Sequence, residues 1–220
     1  MEHYTQFAEL FSYPDTDIYE KVEGVQSYLD EHYPRAGALM EDFTAAISGT
    51  PLFELEELYI RSFDVQAITT LDIGYILFGD DYKRGAMLVN MNREHKQVGN
   101  PCYDELADHL PNVLRLLPLL EDDAFRTELV DRLLAPALQK IIGEFDPGKI
   151  EQKQKVYRKH HRTLIESPAG SRTIYRLPLM ALYSVIQEDF HLREEIEPQQ
   201  SSDFLKGIGT EIELESFDAT

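Results

Sequence analysis

Pro51-Leu-Phe-Glu-Leu-Glu-Glu-Leu-Tyr-Ile-Arg-Ser-Phe63 decides the fold class. Proline is tolerated in the first turn of a helix, where its missing N–H has no partner to lose. Behind it Leu52, Leu55, Leu58, Tyr59 and Phe63 recur three and four residues apart, the spacing that lines one face of an α-helix. The same period runs outward in both directions. Tyr4, Phe7, Leu10 and Phe11 mark a helix stopped by Pro14. Ile18, Val22, Val25 and Leu29 mark a second, ended before Pro34, and a third spans about 36–48 up to Gly49. Residues 65–80 are ambiguous: Leu71, Ile73, Tyr75, Ile76 and Phe78 suit a strand or a short buried helix, and Gly74 and Gly79 keep the element short. A helix over about 81–98 carries Leu88, Met91, His95 and Val98, and Gly99-Asn-Pro101 breaks it.

Asp108 then reads as the N-cap of a helix with Pro111 in its first turns. Phe125, Leu129, Leu133, Ala137 and Ile141 are spaced by four along one long helix, which Pro136 should kink. Asp146-Pro-Gly148 reads as a turn, and helices over about 149–165 and 172–190 follow. Hairpin signals are nearly missing and no repeat or heptad run occurs, so the expected fold is all-α: a single-domain bundle of about 8–10 helices over 1–191. Residues 192–220 read as a mobile acidic tail, with linker-like Gln199-Gln-Ser-Ser202 and an end, Glu211-Ile-Glu-Leu-Glu-Ser-Phe217, that alternates acidic and apolar residues.

Composition narrows the function classes. The chain has 220 residues, 21 Lys+Arg and 40 Asp+Glu, a formal net charge of −19. Such a surface repels phosphate backbones and attracts basic partners. The charge is uneven: residues 1–64 hold 14 acidic and 3 basic side chains, whereas 147–191 hold 4 and 8. The basic stretch Lys149–Arg162 is expected to pair with acidic helices of the same molecule. The single cysteine, Cys102, rules out an intrachain disulfide and a cysteine-based zinc site within one chain. Charge-free stretches reach only 11 residues, too short for a membrane span. The start, MEHYTQFAEL, lacks the basic and apolar pattern of an export signal, so a cytoplasmic protein is expected.

No Gly-rich phosphate loop, GxSxG elbow or His-Glu-x-x-His occurs. Asp108-His109 is the dipeptide of one class of metal phosphohydrolases, which needs further His ligands on neighbouring helices; this gives an enzyme alternative. A third reading is an acidic helical adaptor for an unrelated basic partner.

Three further fragments stand in order: Leu58-Tyr-Ile-Arg-Ser-Phe-Asp64, Gly79-Asp-Asp-Tyr-Lys-Arg-Gly-Ala-Met-Leu88, and Glu105-Leu-Ala-Asp-His-Leu-Pro111, with Val98-Gly99 between the last two. With Glu9-Leu-Phe-Ser-Tyr-Pro-Asp15 near the start, this series resembles the NarJ-like branch of the TorD/DmsD/NarJ family of redox-enzyme maturation chaperones. The motif-bearing part covers about 60 residues, 58–117. The resemblance implies an all-helical chaperone without catalytic activity or a cofactor of its own. Its partner would be the N-terminal, signal-like region of the catalytic subunit of a molybdenum oxidoreductase, held in the cytoplasm until molybdopterin cofactor is inserted. Nitrate reductase is the branch's namesake client, and a monomer or weak dimer is expected. The sequence departs from the pattern at Ala107, where the family usually has Pro, and at Ile68–Tyr75, which lacks the Ser-Leu-Tyr of nitrate-reductase chaperones.

A signal-like peptide is basic at one end and apolar beyond, so it needs an apolar groove with acidic residues at one mouth. Tyr59 and Phe63 lie four apart on one helix face and are candidates to line it, with ordinary core as the competing role. Asp64 ends that helix. Asp80 and Asp81 precede the next, where carboxylates meet the positive end of the helix dipole. Gly79 and Gly85 suggest a tight turn and close helix packing, and Arg84 a pairing with the client or with an acidic neighbour. Glu105, Asp108 and His109 are the leading candidates for client contact, since two carboxylates three apart can grip an arginine from both sides.

Overall fold

A computed structural model describes residues 1–160 and 173–192. Helices α1 (His3–Leu10), α2 (Ile18–His32), α3 (Pro34–Ser48) and α4 (Leu52–Phe63) are followed by the short α5 (Ile73–Phe78) and by α6 (Tyr82–Gln97). Then come α7 (Leu110–Leu116), α8 (Asp123–Leu129), α9 (Ala135–Glu144), α10 (Pro147–His160) and α11 (Arg176–Asp189). The described residues hold no strand, and the fold is all-α, with ten helices if α8 and α9 are taken as one rod. The expected tail lies outside the described residues from 193 onward.

The bundle is organised around α7. Leu110, Val113, Leu114 and Leu116 are wholly buried, and even Asn112 is covered. A helix covered on all sides but that of Arg115 sits in the middle of a domain rather than on its surface. Helix α1 packs on it through Tyr4, Phe7, Leu10 and Phe11, and α2 and α3 continue that layer. Helix α11 lies across α3 and α9 and presents Leu179, Leu182, Val185 and Ile186 inward. Its end is pinned to α1 by Asp189, whose carboxylate accepts hydrogen bonds from Tyr4 (2.7 Å) and Tyr33 (2.7 Å) and pairs with His3 (2.9 Å).

Three boundaries differ from the sequence reading for identifiable reasons. Helix α3 starts at Pro34 because proline suits the first turn. Asp146 opens α10 instead of making a free turn: its Oδ1 accepts from the N–H groups of Gly148 (2.9 Å) and Lys149 (3.3 Å). The kink expected at Pro136 is a π-helical turn over Val130–Leu134, immediately before it. Widening the helix there is one way to relieve the clash between the proline ring and the preceding turn.

The basic stretch was expected to pair with acidic helices; at its start it pairs instead with one buried glutamate of α9, a helix that is itself neutral. Lys149 and Lys153 lie 3.1 and 2.7 Å from the buried carboxylate of Glu144 on α9. Lys153 also donates to the carbonyl of Ile68, tying α10 to the segment before α5. From residue 161 the stretch lies outside the described residues.

Candidate functional site

The ambiguous stretch 65–80 is neither a plain strand nor a plain helix. Leu71 accepts a backbone hydrogen bond from Leu110 (2.9 Å) and Ile73 donates one to Asp108 (3.0 Å), leaving a lone antiparallel bridge between Asp72 and His109. The chain then turns into α5. This bridge brings the start of α7 against the start of α5, and α6 folds back beside α5.

At that junction the motif residues meet. Asp72, the N-cap residue of α5, receives Arg84 on one carboxylate oxygen (3.0 Å) and His109 Nδ1 on the other (3.0 Å). Arg84 also donates through Nε to Asp108 (3.3 Å), and its guanidinium lies over the Tyr75 ring, 5.2 Å from the centroid. The same Asp108 oxygen accepts the N–H of Gly74 (3.1 Å) in the first turn of α5. Asp108 therefore caps α5, not its own helix; the N-cap of α7 is His109. Gly74 is required here, because a Cβ would stand 2.6 Å from Asp108 Oδ2 and 3.0 Å from the Met87 methyl. Gly79 makes the expected tight turn, at φ +60°. Gly85, expected to mark close packing, is exposed with open space around it.

Electrostatically the two aspartates are opposites. Burial pushes the Asp72 carboxyl up, but the hydrogen bonds and charges of His109 and Arg84 outweigh it and hold it below the usual range. Burial also pushes Asp108 up, the Asp72 charge adds to this, and Arg84 offsets only part. The second oxygen of Asp108 is buried with no hydrogen-bond partner.

These contacts settle where the candidate residues lie. Asp108 has a side-chain exposure of 0% and offers no face to a partner. The expected Glu105–Asp108 grip on a client arginine is therefore not formed: Arg84 of the chain itself occupies Asp108, and Glu105 is exposed beside His109 at 3.9 Å. Tyr59 and Phe63 are core residues, 8% exposed each, in an aromatic cluster with Tyr175 and Phe145. The Tyr59 hydroxyl donates to the Phe11 carbonyl (3.0 Å). Asp64 is exposed at the end of α4, Asp80 is exposed in the turn before α6, and Asp81 caps α6 through the N–H of Lys83 (2.9 Å).

The sequence reading missed Asp72, Asn100 and Asn112. Asn100 donates to His95 Nδ1 (2.9 Å), His95 Nε2 donates to the Ala107 carbonyl (3.0 Å), and Asn112 donates to the carbonyls of Cys102 (3.2 Å) and Leu106 (2.9 Å). Together they fasten the loop that carries Glu105 to His109. Burial pushes the His95 pKa down despite its bond to the Ala107 carbonyl, favouring the neutral ring this arrangement uses. Asp108 and His109, the basis of the phosphohydrolase reading, are engaged by Arg84 and Asp72. Among the described residues no group of three or more His, Cys, Asp or Glu is placed to hold a metal ion.

A partly exposed apolar face lies on α4 one step round from Tyr59. Tyr13, Phe53, Ile60 and Val65 floor a groove of about 400 Å³, and Glu56 and Glu57 stand on its edge with Arg61. Phe53 is 65% exposed, Tyr13 53% and Val65 48%. Arg61 pairs with Glu57 (2.9 Å). Tyr13 rests edge-on against Tyr59, so the groove floor is backed by the aromatic core. Helix α4 thus carries an apolar groove with two glutamates on its edge, on the face adjacent to that of Tyr59 and Phe63.

No protein-family model and no curated protein matches the chain.

Proposed function

We propose that this chain is a chaperone of the NarJ type. It would bind the N-terminal, signal-like region of a molybdenum oxidoreductase catalytic subunit in the cytoplasm and hold that subunit for cofactor insertion. The observation that carries the reading is the α4 groove. Its apolar floor accepts the hydrophobic part of such a peptide, and Glu56 and Glu57 meet its basic end. The net charge of −19 steers a basic peptide toward the surface. The motif residues support the reading indirectly. Asp72, Arg84, Asp108 and His109 join α5, α6 and α7 into one rigid unit, a use that a binding scaffold needs and that requires no chemistry.

The test is affinity capture from native extract followed by mass spectrometry, with Glu56→Lys/Glu57→Lys as the control. A molybdenum oxidoreductase catalytic subunit should dominate the eluate of the native chain and be depleted with the variant. Basic proteins captured without any such subunit would replace this reading with the adaptor. Among the described residues no helix is long and apolar enough to cross a membrane.

A further inference from the structure

A second apolar recess opens between α6 and the α8–π-turn rod, with a volume of about 620 Å³. Met87, Met91, Phe125, Leu129 and Leu133 form its floor, and Tyr82 stands at its lip, 81% exposed. Its rim has the opposite sign from that of the α4 groove. Lys83, Arg93 and Arg132 stand there against Glu94 and Glu128. Arg93 and Arg132 each pair with one of those glutamates (3.2 Å), yet their side chains remain 61% and 74% exposed. Three cations against two carboxylates is an unusual balance for a chain that carries 40 acidic and 21 basic residues. A basic peptide finds the wrong sign here. An acidic one with apolar residues finds both a floor and a rim.

The chain supplies such a segment. Glu211-Ile-Glu-Leu-Glu-Ser-Phe217 alternates the two characters, so laid extended it presents Ile212 and Leu214 to one side and Glu211, Glu213 and Glu215 to the other. Its connection is favourable. The end of α11 and the two residues after it, Asp189 to His191, share a surface depression with Asp123, Arg126 and Thr127 at the start of α8. Phe125, Leu129 and Leu133 on that same rod floor the recess. The chain therefore leaves the described region about one helix diameter, 10–12 Å, from the recess. Twenty residues, 192–211, separate His191 from Ile212, and 20 residues reach up to about 70 Å when extended. Being covalently linked, the segment sees the recess at an effective concentration in the millimolar range, so modest contacts suffice. Methionines 87 and 91 add a floor that adapts to its occupant.

We infer that residues 211–217 dock in the α6–α8 recess of their own chain, with Ile212 and Leu214 on the methionine-rich floor and the glutamates facing Lys83, Arg93 and Arg132. The inference does not depend on the client or on the chaperone reading.

The test uses the full chain with Ser216→p-benzoylphenylalanine, on the same side of the extended segment as Ile212 and Leu214, irradiated and mapped by mass spectrometry in an equal mixture of unlabelled and 15N-labelled protein. Crosslinks to the peptides carrying Met87, Met91 or Leu133, within one isotopic form, are expected. Crosslinks between light and heavy chains would overturn self-docking in favour of a second copy as the occupant, and crosslinks to other helices would overturn the site. Leu133 is only half-buried, so Leu133→Glu tests the floor with little risk to the core. Ile212→Asp/Leu214→Asp, in the tail itself, tests the other side with the core untouched. Each should abolish the crosslink and speed amide exchange in α6 about tenfold. Exchange in α6 that is unchanged by the tail variant would also overturn the inference.

Discussion

The junction of α5, α6 and α7 and the groove on α4 divide the labour that the sequence assigned to one place. The junction holds the recognisable residues, and it is closed: Asp108 is wholly buried, and Arg84 sits between two carboxylates. The groove holds Phe53 and Val65, which belong to no motif, beside Tyr13 and Ile60 from the motif fragments, and it is open. Buried ion pairs restrict residue type severely, because removing one partner leaves an uncompensated charge. An apolar floor restricts it weakly, because many side chains fill the same space. Most of the pattern that can be recognised in this sequence therefore marks what holds the scaffold, and the proposed partner surface lies largely outside it.

That division is testable from both sides. Arg84→Ala should show the largest effect, a loss of about 3–5 kcal/mol in stability measured by urea unfolding, because it strands Asp108 and takes one partner from Asp72. Peptide affinity of the folded fraction should be unchanged. Asp108→Asn in the same chain should restore part of the loss, since Asn still accepts from Gly74 without needing a counter-charge. An Arg84→Ala variant that unfolds like the parent would remove the junction's structural role.

Glu56→Lys/Glu57→Lys should do the reverse. Affinity for a synthetic peptide with two arginines followed by an apolar run should fall about ten- to a hundredfold by calorimetry, with the unfolding midpoint nearly fixed. Asp108→Asn with Glu105→Gln is the sharper discriminator. A closed junction predicts a stability loss on the order of 1 kcal/mol and normal peptide affinity. A loss of affinity exceeding the loss of stability would return these two residues to the partner's surface and break the division.

The smallest effect is expected from pH. Asp72, Asp189 and Glu144 are each pushed up by burial but held below their usual ranges by their partners: His109 and Arg84, His3 with Tyr33 and Tyr4, and Lys153 with Lys149. Lowered carboxyl values mean that the native state binds protons less readily than the unfolded chain. Their contribution is complete above about pH 5 and disappears as pH falls through the lowered values. Asp108, raised by burial, works the other way: its ionisation costs stability as pH rises past the usual aspartate range. Net stability should fall on acidification below about pH 5, and Asp189→Asn should flatten that fall. An unchanged slope in this variant would show that Asp189 is not a clamp between α1 and α11.

Most of the fold was legible because helical stripes and their breakers are local. The stripe behind Pro51, the stops at Gly49 and Gly99-Asn-Pro101, and the apolar run of α7 all act within a few residues. The features that escaped are those whose cause is distant or ambiguous. Asp72 gains its role from Arg84 and His109, 12 and 37 positions away. Asp108 satisfied the local rule for an N-cap, yet a donor from another helix won it. Asp146-Pro-Gly148 fits both a turn and a helix start, since both want Asp followed by Pro. The groove was expected on α4 but assigned to its aromatic residues, because a stripe at helical spacing does not say which of two adjacent faces is buried.

The π turn at Val130–Leu134 carries a consequence for chain length. A π turn is in effect one residue inserted into an α-helix, and each residue turns the rod by about 100°. The wider turn absorbs that rotation, so deleting a single residue there would let α8 run straight into α9 with Phe125 and Leu129 still on the side of Ala137 and Ile141. A deletion inside α8, between Phe125 and Leu129, has no such turn to absorb it and would swing Phe125 by about 100° off the recess floor. In this rod, tolerance to a shift in length is confined to the turn before Pro136, and the count of residues on either side of it is fixed.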